Sequence, residues 1–131
     1  MQLLLSESDE FGRNEGLNLI PGRVIALPDH DTHGQQLKIP HIGWNTLLPC
    51  TQDGWQHQLL KDNYAGDAMY FVHSFMAIPD DPTSRLAEYH HGGYKIPAII
   101  NKDNIFGCQF HPEKSGVAGL SLIKTFCNIQ L

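Results

Sequence analysis

Apolar residues open the chain at helical spacing. Met1, Leu4, Leu5 and Ser8 fall along one face, and Gly12 is a stop, so the pattern predicts a helix over the first dozen residues. No capping residue precedes it, and the N–H groups of its first turn would lack partners, so the opening reads as the middle of a helix. The period then changes from helical to alternating. A strand is predicted from Val24 to Leu27, followed by a polar, turn-rich loop over residues 28–36. Residues 37–47 have strand character interrupted by Pro40 and Gly43, and a loop with Asp53 and Gly54 comes next. The strongest strand signal is AMYFVHSFMAI, residues 68–78, rich in aromatic and β-branched side chains. A turn over PDDPTS leads into three short strands between Arg85 and Pro112. These are joined at His91-Gly92-Gly93 and at Lys102-Asp103-Asn104. The last segment predicts an amphipathic helix capped by Ser115. Val117, Leu120, Ile123 and Cys127 form its apolar face, widened by Leu122 and Phe126, with Ser121, Lys124, Thr125 and Asn128 opposite. Strands in the middle with helices at both ends give an α/β or α+β class.

Composition narrows the function classes. The 131 residues suffice for one domain with a modest core, and 41% apolar with 18% charged residues is a globular balance. A net charge of −5 argues against nucleic acid as the main partner, because phosphate neutralisation needs clustered Lys and Arg. No apolar run reaches the length of a membrane span, and no secretion signal opens the chain. Cys50, Cys108 and Cys127 are odd in number and widely spaced, which predicts small buried apolar side chains and a cytoplasmic location rather than a disulfide framework. No cofactor is expected. His30, Asp31 and His33 in the polar loop read as solvated residues, not a metal site, because further ligands are missing.

Candidate chemistry centres on FHPEKSG. If FGCQFHPE runs as a strand to its carboxyl end, His111 and Glu113 point to the same side. Pro112 marks the place where that strand leaves the sheet. A carboxylate beside a histidine can hold one ring tautomer and stabilise the imidazolium, which is the base-and-orienter half of a nucleophilic triad. An ordinary strand-end ion pair fits the same spacing. No cysteine completes the site: Cys108 faces the other side of the strand, Cys127 belongs to the last helix, and Cys50 follows a proline in a loop.

The runs PHIGWN, YFVHSF and FGCQFHPEKSGVAGLSLIKTF, in that order, resemble the glutaminase subunit of imidazole glycerol phosphate synthase, a class I (triad) glutamine amidotransferase. The likeness covers essentially the whole chain. It implies an α/β, flavodoxin-like mixed sheet flanked by helices, present here as a single incomplete domain, residues 1–131, without its N-terminal strands. The family's nucleophile lies in a G-x-C-x-G-M-Q-L run, and the opening MQLLLSES matches the end of that run. The resemblance therefore puts the cysteine before Met1, and these residues alone are expected to be inactive. It implies that His111 relays protons and Glu113 orients it. Gln2, Glu10, Ser74 and Phe75 match positions that hold the substrate glutamine. Trp44 and Lys114 match positions facing a (β/α)-barrel cyclase/synthase partner, which receives the ammonia. Many relatives have tyrosine where Phe75 stands. VHSFMAIP, with GGYKIPAI and GCQFHPEKSG, also resembles paralogues encoded with surface-polysaccharide genes, which are thought to feed ammonia to a sugar-modifying enzyme. A non-catalytic, partner-binding subunit is the third reading.

Overall fold

The computed structural model describes residues 1–130. Ten strands and one α-helix follow in chain order: β1 (Glu7–Ser8), β2 (Asn14–Glu15), β3 (Gly22–Ala26), β4 (His41–Thr46), β5 (Leu48–Pro49), β6 (Ala68–His73), β7 (Phe75–Pro79), β8 (Arg85–His91), β9 (Tyr94–Lys102), β10 (Ile105–Cys108) and α1 (Gly116–Asn128). They form two four-stranded sheets, ordered β2-β1-β3-β7 and β10-β9-β8-β5, and a two-stranded ribbon of β4 and β6. The pairing of β1 with β3 is parallel and the others are antiparallel, so the mixed α/β class holds.

The opening differs from its sequence pattern. Only Gln2–Leu4 makes a helical turn, of the 3-10 kind, and β1 follows it. The carbonyls of Leu3, Leu4 and Leu5, which a longer α-helix would use internally, instead accept N–H groups from Leu17, Asn18, Leu19 and Ile20 at 2.9–3.0 Å. Gly16 makes this close approach possible, since a Cβ there would lie 2.1 Å from the Leu5 carbonyl oxygen. Leu5 is thereby driven into a small core with Ile20, Val24, Ala77 and Ile100.

The strand signal over residues 68–78 resolves into two strands in different sheets. β6 pairs with β4, and β7 pairs with β3, the chain turning at Ser74. His73 holds that corner. Its Nδ1 donates to the Phe75 carbonyl at 2.8 Å, and its Nε2 accepts the Tyr89 hydroxyl at 2.7 Å. Phe71 and Tyr89 pack their rings 4.2 Å apart in the larger core, which also takes in Leu47, Met69, Ile96, Ile99 and Leu122.

β9 carries a continuous buried run, as expected of a strand covered on both faces: Ile99 belongs to the larger core and Ile100 to the smaller one. Pro97 within it donates no ladder bond, and the β8–β9 register shifts between Ala87 and Glu88, next to the Glu88–Pro97 pair.

The final helix is rotated from its predicted phase. Gly119, Leu122 and Thr125 are buried, whereas Val117 is 86% exposed and Leu120 58%. Cys127 is exposed as well, contrary to the expectation of a buried thiol. Two polar anchors help set this phase: Thr125 Oγ1 donates to Asp62 Oδ2 at 3.0 Å, and Asn63 Nδ2 donates to the Ala118 carbonyl at 3.0 Å. Hydrogen bonds of buried groups thus override an apolar count along the helix.

Candidate active site

His111 stands just past the carboxyl end of β10. The strand stops at Cys108, and Pro112–Lys114 form a 3-10 turn with His111 at its N-terminal boundary. The same-side placement of His111 and Glu113 therefore comes from this turn and not from strand alternation. His111 Nδ1 lies 3.0 Å from Glu113 Oε1. With Nδ1–H donating to the carboxylate, Nε2 carries the free lone pair and can accept a proton. The Glu113 carboxyl is held below its ordinary range, first by its own backbone N–H and then by the His111 hydrogen bond. Both side chains are about half exposed, 43% and 56%. The pair is open to a reactant rather than sealed in the core.

Three contacts hold the histidine backbone. Its N–H donates to the Tyr70 carbonyl at 3.0 Å. Its own carbonyl accepts the Lys114 N–H at 3.0 Å and the Ser115 hydroxyl at 2.6 Å. Ser115 occupies the predicted cap position of α1, but its side chain makes no capping bond there.

The structure gathers some of the substrate positions that the sequence suggests. Gln2 Nε2 donates to the Phe75 carbonyl at 3.0 Å and to Gln109 Oε1 at 3.2 Å. Gln2 and Phe75 are thus joined, and Gln109 ties them to the segment that ends at His111. Gln2 and Glu10 line one cleft of about 340 Å³. Ser74 and Phe75 have carbonyls already in use: Leu27 N–H takes the first, and Gln2 and His73 share the second. Gln109, Tyr70 and Ser115 are the site residues missing from the sequence reading. Gln109 could have been found from its i, i+2 relation to His111.

Trp44 and Lys114 lie at the surface, Trp44 57% exposed. Trp44 sits opposite Tyr70 in the ribbon, their ring centroids 5.7 Å apart. Ile42 and Val72, the next cross-strand pair on that face, are also exposed.

The three thiols are placed elsewhere. Cys108 lines an apolar groove with Leu59, Phe106, Leu122 and Phe126, and burial pushes its thiol up to about 12. Cys50 lines a cleft with Thr51 and Arg85, and burial pushes its thiol up to about 11. Neither is a thiolate near neutral pH. Among the described residues no group of three His, Cys, Asp or Glu side chains could hold a metal ion. In the polar loop, Asp31 Oδ1 accepts the N–H groups of His33 and Gln35, both at 2.8 Å, and so shapes the turn. No helix among the described residues is long and apolar enough to cross a membrane.

A histidine–carboxylate pair just past a strand's carboxyl end, in a mixed α/β fold, is an arrangement that can accept and pass on a proton. Residues 1–129 match the family Glutamine amidotransferase class-I, and the chain belongs to that family. Among individual relatives, it is 51% identical over 130 residues to imidazole glycerol phosphate synthase subunit HisH 1 of Legionella pneumophila (strain Lens), covering 98% of this chain and 61% of that protein. It is 42% identical over 131 residues to subunit HisH of Bacillus velezensis, covering 96% and 57%. Subunit HisH of Geobacillus sp. (strain WCH70) is 39% identical over 130 residues, covering 98% and 58%. The chain thus spans about three fifths of the length of the curated relatives it matches.

Proposed function

We propose that this chain carries the proton-relay half of a glutaminase subunit that supplies ammonia for imidazole glycerol phosphate formation in histidine biosynthesis. The observation that carries the reading is the His111–Glu113 pair, with Nδ1 engaged at 3.0 Å and Nε2 free, next to the Gln2–Gln109 contact. In the proposed reaction His111 Nε2 takes the proton of a thiol, and the thiolate attacks the glutamine carboxamide. His111 gives a proton to the departing ammonia, leaving a glutamyl thioester. His111 then takes a proton from water as it attacks, releasing glutamate. Glu113 holds the ring and offsets the imidazolium charge. The nucleophile comes from residues outside these 131, which form part of one amidotransferase domain. Gln2 and Glu10 line the glutamine cleft, the Glu10 carboxylate suiting the α-ammonium group. Ser74 and Phe75 border the same substrate. No cofactor or metal takes part, and the setting is the cytoplasm. The open face bearing Trp44, with Lys114 beside the pair, meets a (β/α)-barrel synthase subunit that receives the ammonia.

There are two other readings. The runs VHSFMAIP, GGYKIPAI and GCQFHPEKSG support the surface-polysaccharide paralogue as one of them. A non-catalytic, partner-binding role is the other. Genetic complementation separates them. The chain is fused to the residues that the Legionella relative has outside the matched region. It is then expressed in a bacterium lacking its own glutaminase subunit of this synthase. Growth without histidine is expected. No growth despite soluble expression would count against the histidine pathway.

A further inference from the structure

Ser115 is 2% exposed, yet it caps no helix. Its hydroxyl instead spans two backbones. It donates to the His111 carbonyl at 2.6 Å and accepts the Tyr70 N–H at 3.0 Å. The donor is used once and an acceptor site once, so the hydroxyl proton has a single orientation that satisfies both contacts. The Tyr70 carbonyl completes the arrangement by accepting the His111 N–H at 3.0 Å. Residue 70 of β6 therefore grips His111 at its N–H directly and at its carbonyl through the serine. The His111 carbonyl also takes the Lys114 N–H at 3.0 Å within the turn, so the serine adds the contact that ties this turn to β6.

The placement matters because little else fixes the ring. The imidazole is 43% exposed, and its hydrogen-bond partner is Glu113, itself 56% exposed. An exposed pair of this kind contributes little rigidity on its own. Nε2 can point reproducibly only if the backbone beneath it does, and that backbone is clamped inside, where water cannot replace a lost bond. The same clamp leads outward, because Tyr70 turns its ring onto Trp44 on the open ribbon face.

We propose that Ser115 is a positioning residue for His111, its hydroxyl fixing the direction of the ring through the His111 carbonyl and the Tyr70 N–H, so that Nδ1 stays on Glu113 and the tautomer is kept. The proposal rests on the reading of His111 as the proton relay, but its test does not depend on turnover.

The test uses the ¹⁵N-labelled fused protein with Ser115→Ala, Ser115→Thr and Ser115→Cys. Two quantities are read: the His111 tautomer, from long-range ¹H–¹⁵N correlations near pH 8, and amide exchange at Tyr70. The parent should show the Nδ1–H form. In S115A the ring should shift toward the Nε2–H form, and Tyr70 exchange should quicken about tenfold, the equivalent of one lost buried hydrogen bond. Core amides such as Ile99 should be unchanged. S115T, which keeps the hydroxyl, should restore both signals. If S115A unfolds globally, S115C decides, since it preserves bulk but bonds weakly, and it should show the same two changes in smaller degree. A folded S115A or S115C with the parent's tautomer and Tyr70 exchange would overturn the proposal, as would failure of S115T to restore them. Loss of the tautomer in S115A without loss of glutaminase activity in the fused protein would instead count against His111 as the relay.

Discussion

Gly119→Ala is expected to destabilise the fold by about 3 kcal/mol, at the upper end of overpacking costs. A Cβ at this position would lie 2.0 Å from the Pro112 carbonyl oxygen and 2.7 Å from the Ser115 Cβ. The first obstacle is backbone, so no side chain can swing aside to make room. Helix propensity pulls the other way, favouring alanine over glycine by about 1 kcal/mol inside a helix. The two effects have opposite signs, and the clash is the larger. Urea denaturation of parent and variant decides between them. A stabilised variant would mean that α1 does not rest on the HPEKS turn as described. Because that turn carries His111, Glu113 and Ser115, the glycine is where helix packing and site geometry are the same constraint.

Acidification is expected to remove about 3 kcal/mol of stability through His73. Burial is the chief cause of its depressed pKa, which falls from 6.5 to about 4, and nearby His41 and His91 oppose its protonation further. His41 faces it from β4, the Tyr89 hydroxyl from β8 and the Phe75 carbonyl from β7, while His91 of β8 packs on His41. Burial and His41 lower the His91 pKa as well. The folded pKa lies below the unfolded one, so between pH 6.5 and about 4 the unfolded chain binds more protons. Stability is therefore complete above pH 6.5 and is lost progressively as pH falls through that window. By pH 5, where most carboxylates are still ionised, about 2 kcal/mol should already be gone. Urea midpoints at pH 7.5 and pH 5 measure this, and His73→Asn should flatten the difference. Equal stability at the two pH values would show that the histidine is not held neutral in the core.

The His111–Glu113 pair was legible in the sequence, because two functional side chains flank a proline at the end of an apolar, strand-like run. Its geometry was not, since a strand and a 3-10 turn both set residues 111 and 113 on one side. The class of fold was legible from strands dominating the middle and a helix at the end. The break at Ser74 was hidden because burial alternates unchanged across it, with Met69, Phe71 and His73 inward before it and Ala77 and Pro79 inward after it. The opening helix failed for a different reason. Its apolar spacing is helical, but the partners of its carbonyls are residues 17–20, a long-range fact that no local period contains. The phase of α1 was missed because Thr125 and Gly119 count as polar or neutral, yet they are buried through Asp62 and Pro112. Ser115 was read as a cap from its position alone, and its true partners, His111 and Tyr70, are set by tertiary packing.

The most direct measurement is kcat/KM for glutamine with the fused protein, bound to a synthase subunit, comparing the parent with His111→Asn. Asparagine keeps a polar side chain of similar reach but cannot relay a proton near neutral pH. The expected result is a fall of about 10³-fold or more, mostly in kcat, with synthase binding unchanged. A variant that retains the parent's kcat/KM would contradict the assignment of His111 as the proton relay.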